Sequence, residues 1–308
     1  VLRTFDHHDF DASSLVEAKG GQRVSVCLPA HNEEATVGAI VGRIRQHLVE
    51  GVPLVDEVLV IDDHSTDATA RVAQDAGAIV IDAAGTLPDA ATGPGKGRAL
   101  WKSVHACSGD LVVWCDADVS NFGPHFVVGL LGPLLTQPGI SYVKGFYRRP
   151  LSATGDGGGR VTELVARPLL SLLYPALTSF VQPLSGEYAG RRSLFEQLPF
   201  VSGYGVEVGL LVDISSRFGV DTMAQVDLGT RLHRNRTLHE LGPQAMTIMQ
   251  VLLRRADPTL VGDHADLMRP GQPPRPVSAD EMPPLVSLPE YRHRRAVALG
   301  DTGRTAGD

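Results

Sequence analysis

A chain of 308 residues, 43% hydrophobic and 20% charged, is long enough to bury one large α/β core or two small ones. Lys and Arg number 28 against 35 Asp and Glu, a formal charge of −7, which argues against a general nucleic-acid binder because such affinity comes chiefly from neutralising phosphates. A small phosphorylated ligand needs only a few placed cations and stays open. The longest apolar region, residues 168–184, is interrupted by Pro175 and is too short to span a bilayer, and the polar first twenty residues hold no signal-like core, so the chain reads as cytoplasmic. Cys27, Cys107 and Cys115 lack metal-ligand spacing, and the apolar runs around Cys27 and Cys115 suit buried thiols.

In chain order, residues 1–20 form a polar extension. The first strand covers 23–28 and stops at Pro29; the polar cluster 31–34 opens a helix over 35–48, where Val37, Ile40, Val41, Ile44 and Leu48 recur at helical spacing. A second strand at 58–61 ends in Asp62–Asp63, Ser65 or Thr66 caps a helix over 67–76, Gly77 stops it, and 78–81 is a third strand. Short apolar runs each followed by a helix predict βαβ units and a mostly parallel sheet. A Gly- and Pro-rich loop at 89–97 leads to a helix over 98–107, and a fourth strand at 111–115 carries Asp116–Ala117–Asp118 at its carboxyl end. Beyond 140 the pattern loosens: a strand at 142–146, a glycine-rich loop at 155–159 and a helix over 161–173. After 256 the text turns rich in Pro, Arg and Asp, which predicts a weakly ordered or surface-draped tail.

Residues two apart on an extended segment point the same way, so Asp116 and Asp118 can face one site at a strand end, where ligands of open α/β sheets bind. Two hard carboxylates suit Mg²⁺ or Mn²⁺; the competing reading of Asp-x-Asp is a solvated turn. The loop Pro29–Ala30–His31–Asn32–Glu33 and the neighbouring Asp63 would face the same crevice or simply form turns and caps. No G-x-G-x-x-G follows the first strand, which disfavours a nicotinamide dehydrogenase, and Pro94–Gly95–Lys96–Gly97 is too short for a P-loop, although Lys96 can offer a charge to a phosphate. Gly157–Gly158–Gly159–Arg160 before a helix reads either as an anion cradle or as a linker. His233, within the basic run 231–236, reads as a surface residue or as a further metal ligand beside Asp118.

The stretches 26–34, 60–67 and 116–118 resemble GT-A glycosyltransferases. The strings 146–150, 158–169, 182–188, 203–207 and 233–236 resemble, more narrowly, the glucosyl-3-phosphoglycerate synthases of actinobacteria, over roughly Val24 to Arg255. That resemblance implies a GT-A fold, Rossmann-like with a mostly parallel central sheet flanked by helices and a less regular acceptor-binding C-terminal half. It divides the chain into a nucleotide-sugar-binding half at 21–150, an acceptor-binding half at 151–255 and a tail at 256–308. It implies transfer of glucose from UDP-glucose to 3-phosphoglycerate with retention, Mg²⁺ (or Mn²⁺), a homodimer, and a place at the start of polymethylated glucose lipopolysaccharide synthesis.

Carried over residue by residue, Pro29, Ala30, His31, Asn32, Glu33, Asp63, Lys96, Asp116 and Ala117 would bind the UDP part, and Asp118 and His233 the metal. Gly159, Arg160, Val161, Thr162 and Asn235 would hold the phosphoglycerate, and Tyr204, Gly205, Val206 and Glu207 would line the sugar pocket. Ala117 stands where the family usually has Ser, which spares both carboxylates. Among the catalytic residues the resemblance implies, Lys96 would stabilise departing UDP, Glu207 is the nearest candidate for a carboxylate nucleophile but is read rather as positioning the sugar, and the backbone near Leu184 would lie beside the anomeric carbon, favouring a front-face route without a covalent intermediate. Mannosyl transfer from GDP-mannose to glycerate or its phosphate, and a catalytically silent nucleotide-sugar-binding protein, are the rival readings.

Overall fold

The computed structural model describes residues 2–151, 155–156, 159–232, 237–262 and 264–298. Its centre is an eight-stranded sheet built from β1 (Arg3–Asp6), β2 (Val24–Ala30), β3 (Glu57–Asp62), β4 (Ile79–Asp82), β5 (Leu111–Trp114), β6 (Tyr142–Arg148), β7 (Tyr188–Arg191) and β8 (Met223–Thr230). The strand order is β1-β8-β6-β7-β5-β2-β3-β4. β7 runs antiparallel to β5 and β6, and every other pairing is parallel.

Both faces of this sheet are covered, which is why β2 and β5 read as continuous apolar runs rather than alternating ones. Val24, Val26, Leu28, Leu111 and Val113 enter the core on one face, whereas Cys27, Val112 and Trp114 enter the core on the other. Helix α1 (Val37–Ile44) buries Val37, Ile40, Val41 and Ile44 against the first face. Helix α2 (Thr69–Asp75) follows β3, and α3 (Lys96–Ala106) buries Ala99, Leu100, Trp101 and Val104 on the opposite face. The chain steps outward from β2 to β3 and β4, then returns across β2 to β5. The carboxyl ends of β2 and β5 therefore flank a topological switch point, the place where such sheets leave a crevice.

The structure corrects several expectations. The helix expected over 35–48 is α-helical only from Val37 to Ile44 and continues as wider π turns over Arg45–Gly51. Neither Ser65 nor Thr66 caps α2: both serve Asn32, and Asp67 Oδ1 accepts from the Thr69 amide at 2.9 Å instead. Residues 3–6 are the edge strand β1, paired in parallel with β8 from Arg3↔Ala224 to Asp6↔Asp227. The stretch expected to be weakly ordered or surface-draped contains a mostly exposed hairpin of His264–Leu267 with Arg275–Ser278, a short strand Glu281–Met282 paired with Phe200–Val201, and a helix Pro289–Ala298. Tyr291 of that helix is buried and donates from its hydroxyl to Glu196 Oε1 at 2.8 Å. Two helices that bear on the site also emerge, α4 (Val206–Phe218) and α5 (Leu238–Ala256), the latter opened by a Thr237–Glu240 capping box.

Candidate active site

Three loops at the carboxyl edge of the sheet are tied together by hydrogen bonds. Asn32 adopts φ 58°, a left-handed conformation that Asn tolerates better than most residues. Its Oδ1 accepts from the Thr66 amide at 2.8 Å and its own amide donates to Ser65 Oγ at 3.0 Å. His31 Nδ1 lies 2.6 Å from the Asp63 carbonyl, and Asp63 Oδ2 accepts from the Gly95 amide at 2.8 Å, so Asp63 anchors the turn that starts α3. Thr36 donates to the Ala117 carbonyl at 2.6 Å and fixes the Asp116–Asp118 segment to the first loop. These ties enclose a cleft of about 410 Å³ whose walls include Pro29, Ala30, His31, Glu33, Asp63 and Lys96 on one side and Asp116, Ala117, Asp118 and Tyr204 on the other. Asn32, Gly205 and Val206 do not line it: Asn32 binds the neighbouring loop, Gly205 packs against Val251 and Thr247, and Val206 is buried.

A chain of alternating charges forms the floor. Lys96 Nζ, in the first turn of α3, lies 2.6 Å from Asp116 Oδ1 and 2.8 Å from Glu207 Oε1, in the first turn of α4. Arg231, immediately after β8, places Nη2 at 2.9 Å from Asp116 Oδ2 and 2.6 Å from Asp118 Oδ1. Its Nη1 donates to the Tyr147 hydroxyl at 2.7 Å and faces the fully buried Glu187 at 3.4 Å. Burial opposes ionisation of Asp116, but Lys96 and Arg231 outweigh it and hold the carboxyl well below its usual range. Burial likewise opposes the charge on Lys96, and Asp116 and Glu207 overcome it and push its pKa up. Among the described residues Glu33 has no such counter-ion: burial, then Asp118 and Asp116, push its carboxyl up to about 7.

This crowding of carboxylates is the observation that tests for a cation. Asp118 and Asp116 raise the cost of ionising Glu33 in the same cleft, Asp118 remains about a third exposed, and a guanidinium already bridges Asp116 and Asp118. Two hard carboxylates at a strand end, one of them open to solvent, are donors of the kind that suit Mg²⁺ or Mn²⁺, and a further ligand has to come from elsewhere in the chain. His233 and Asn235, with Gly157 and Gly158, lie outside the described residues.

On the other half, Gly159 takes φ 83° and the helical turns begin at Arg160, with Thr162 buried. Gly159, Arg160, Val161 and Thr162 do not line the cleft itself. Leu184 is partly buried in the turn that precedes β7, next to Ser185 and Gly186. Gly186 lies so close to the Asp116 carboxylate that no side chain fits between them. Sequence reasoning missed four residues of this network: Arg231, Glu187, Tyr147 and Lys144. Glu187 carried a readable signal, an acid directly before an apolar strand, because burying a carboxylate demands a partner. The partner, Arg231, is 44 positions away, and only the sheet brings the two together.

A mostly parallel sheet with this order, carrying an Asp-x-Asp pair beyond β5 at its switch point, defines a GT-A glycosyltransferase. Residues 25–124 match the family profile Glycosyl transferase family 2. The glucosyl-3-phosphoglycerate synthase of Petrotoga mobilis is 42% identical over 96% of this chain and 96% of its own length. That of Mycolicibacterium smegmatis is 50% identical over 82% of this chain and 84% of its own. The chain belongs to the glucosyl-3-phosphoglycerate synthase family. Crystal structures of the Mycobacterium tuberculosis synthase superpose with a TM-score of 0.85 at 46% identity, over 93% of this chain; one holds phosphoglyceric acid, covering 99% of that chain, and another Mn²⁺, UDP-glucose and phosphoglyceric acid, covering 98%.

Proposed function

We propose that this chain transfers glucose from UDP-glucose to 3-phosphoglycerate with retention, giving glucosyl-3-phosphoglycerate. The observation that carries the proposal is the set of Lys96, Asp116 and Asp118 lining a cleft of about 410 Å³ at the switch point, with the buried Arg231 bridging the two aspartates. Family membership supports it.

Asp118 and His233 would hold Mg²⁺ or Mn²⁺, which when bound neutralises charge on the donor diphosphate. Pro29, Ala30, His31, Asn32, Glu33, Asp63, Asp116 and Ala117 form the UDP side; among them Asn32 acts through the Thr66 loop and Asp63 through the Gly95 turn. Lys96 is fixed between two carboxylates, so its ammonium is oriented before the donor arrives and offers a preorganised charge to departing UDP. Tyr204, Gly205, Val206 and Glu207 serve the sugar: Gly205 and Val206 seat the start of α4, and Glu207 projects from it to Lys96. The acceptor's anionic groups go to Gly159, Arg160, Val161, Thr162 and Asn235, where a helix start and a guanidinium favour phosphate and carboxylate. The acceptor hydroxyl attacks on the face UDP leaves, beside the Leu184 backbone, with no glucosyl-enzyme intermediate; trapping such an adduct would overturn this route.

Two further readings accompany the reaction. The outer side of the segment 160–181 leaves Leu164 73%, Leu172 78% and Val181 45% exposed, and we read it as the face on which two copies form a homodimer. Leu172→Asp is expected to give a monomer in sedimentation. Among the described residues no helix is long and apolar enough to cross a membrane, and all three cysteines are buried and unpaired, which supports a cytoplasmic site of action.

The test is turnover with UDP-glucose and 3-phosphoglycerate, with and without Mg²⁺, beside a panel of nucleotide sugars. Metal-dependent turnover of UDP-glucose is expected. Exclusive use of GDP-mannose, or UDP binding with no turnover on any acceptor, would defeat the proposal.

A further inference from the structure

Beneath the turn that carries Leu184 lies a lysine that the reaction scheme does not use. Lys144, on β6, is 1% exposed, and among the described residues no carboxylate lies within salt-bridge distance of it. Its Nζ donates to the Ser185 carbonyl at 3.0 Å and to the Tyr142 hydroxyl at 3.3 Å, and sits 4.4 Å from the centre of the Tyr188 ring. Burying an ammonium in this way costs the fold stability that an apolar side chain of the same length would not. Burial pushes the Lys144 amine down to about 7, with Glu207, Glu187 and Asp116 offsetting only part of it.

What the lysine holds is connected to the catalytic floor. Ser185 Oγ donates to the Gly145 carbonyl at 2.5 Å, and the Gly145 amide donates to the Glu187 carbonyl at 2.8 Å, so β6 grips the turn at three points. The upper side of the same turn presses Gly186 onto Asp116 and presents Glu187 to Arg231. The height of the turn is therefore set from below by Lys144 and read from above by the groups around the donor diphosphate.

We propose that Lys144 is a positioning residue for the transfer, holding the Leu184–Glu187 turn through the Ser185 carbonyl and thereby setting where the sugar's reacting carbon lies relative to its leaving group. The inference rests on the transfer reaction and on the Leu184 placement proposed above. Among the described residues Lys144 hydrogen-bonds only to Tyr142 and Ser185 and to none of the UDP-binding loops, so its effect is expected on the chemical step more than on nucleotide binding.

Lys144→Met and Lys144→Gln are compared with the wild type for kcat, the KM values for UDP-glucose and 3-phosphoglycerate, UDP affinity by calorimetry, and thermal midpoint. A wild type that fails to turn over would sink the transfer reading itself, and is seen before any variant is made. With an active wild type, the Met variant is expected to fold with an equal or higher midpoint and bind UDP within about twofold, while kcat falls about 30-fold or more. The Gln variant, which keeps an N–H donor without the charge, is expected to lose less. A kcat within twofold of wild type in either folded variant overturns the proposal, and so does UDP affinity that falls in step with kcat. If the Met variant does not fold, the Gln variant alone decides by the same criteria.

Discussion

Arg231 Nη2 lies 2.6 Å from Asp118 Oδ1, so a side chain from the end of β8 already occupies one oxygen of the residue proposed to bind the divalent ion. The same guanidinium faces Glu187 at 3.4 Å and Asp116 at 2.9 Å. Its planar fork reaches three carboxylates, which a lysine's point charge does not. Arg231→Met would leave the fully buried Glu187 without a cation, and is expected to destabilise the fold by about 3–5 kcal/mol in denaturant titration. Arg231→Lys should recover part of that stability and little activity. A Met variant as stable as the wild type would show that Glu187 is protonated in the native state and needs no partner.

Asp118→Ala tests the other partner. UDP affinity that responds to Mg²⁺ in the wild type should lose that response in the variant, and addition of EDTA should bring the wild type down to the variant's level. Near-normal metal-dependent affinity in the variant would place the ion elsewhere.

Gly186 gives a steric test that removes no charge. A methyl group there would collide with the Asp116 carboxylate. Asp116 is pinned by Lys96 on one oxygen and Arg231 on the other, so it cannot yield cheaply. Gly186→Ala is expected to lower kcat/KM by at least tenfold while costing about 1–3 kcal/mol of stability, the range for overpacking. Unchanged kinetics would mean that the turn moves away instead.

How much of this was legible before folding differs between the two halves of the chain. β2, β3, β4 and β5 announce themselves as short apolar runs closed by polar ends, and Asp116 and Asp118 stand where the run 111–115 stops, so that side of the cleft follows from local pattern. β1 does not, because Arg3–Asp6 alternates exposed and half-buried side chains at a sheet edge and is held there by pairing with β8, some 220 positions away. The Lys144, Glu187 and Arg231 network is invisible for the same reason: each is an ordinary charged residue until the sheet order brings β6, β7 and β8 together. The tail is half legible: its proline-rich part runs exposed over the surface as composition suggests, whereas the anchoring of Met282, Leu285 and Tyr291 in the core has no local signal.

That burial makes its own prediction. Tyr291 is 1% exposed and its hydroxyl reaches Glu196, while Trp101 of α3 donates to the Pro283 carbonyl at 2.9 Å. Tyr291→Ala is expected to cost about 3–5 kcal/mol, in the range for emptying a large aromatic site. Tyr291→Phe should cost about 1 kcal/mol, because Glu196 keeps Arg192 and Arg295. Thermal unfolding distinguishes this from a tail that merely drapes over the surface, for which both variants would melt with the wild type.

Glu33 supplies the pH dependence. Its carboxyl is raised from 4.5 to about 7 by burial first, then by Asp118, Asp116 and Asp67. A carboxyl whose folded pKa exceeds its unfolded value stabilises the fold fully below the unfolded value, and that contribution is lost as pH rises through the folded one. The ligand-free protein should therefore lose stability from this group between about pH 5 and 7.5. His105, pushed down to about 4 by burial and then by Arg294, works in the opposite direction over the lower part of that window, so the wild-type curve alone is ambiguous. The informative quantity is the difference between wild type and Glu33→Gln: the variant's midpoint should gain on the wild type as pH rises through about 7, and the gain should shrink when Mg²⁺ and UDP neutralise the neighbouring aspartates. Parallel curves across the window would show that Glu33 titrates normally and that burial and the two aspartates do not raise its carboxyl.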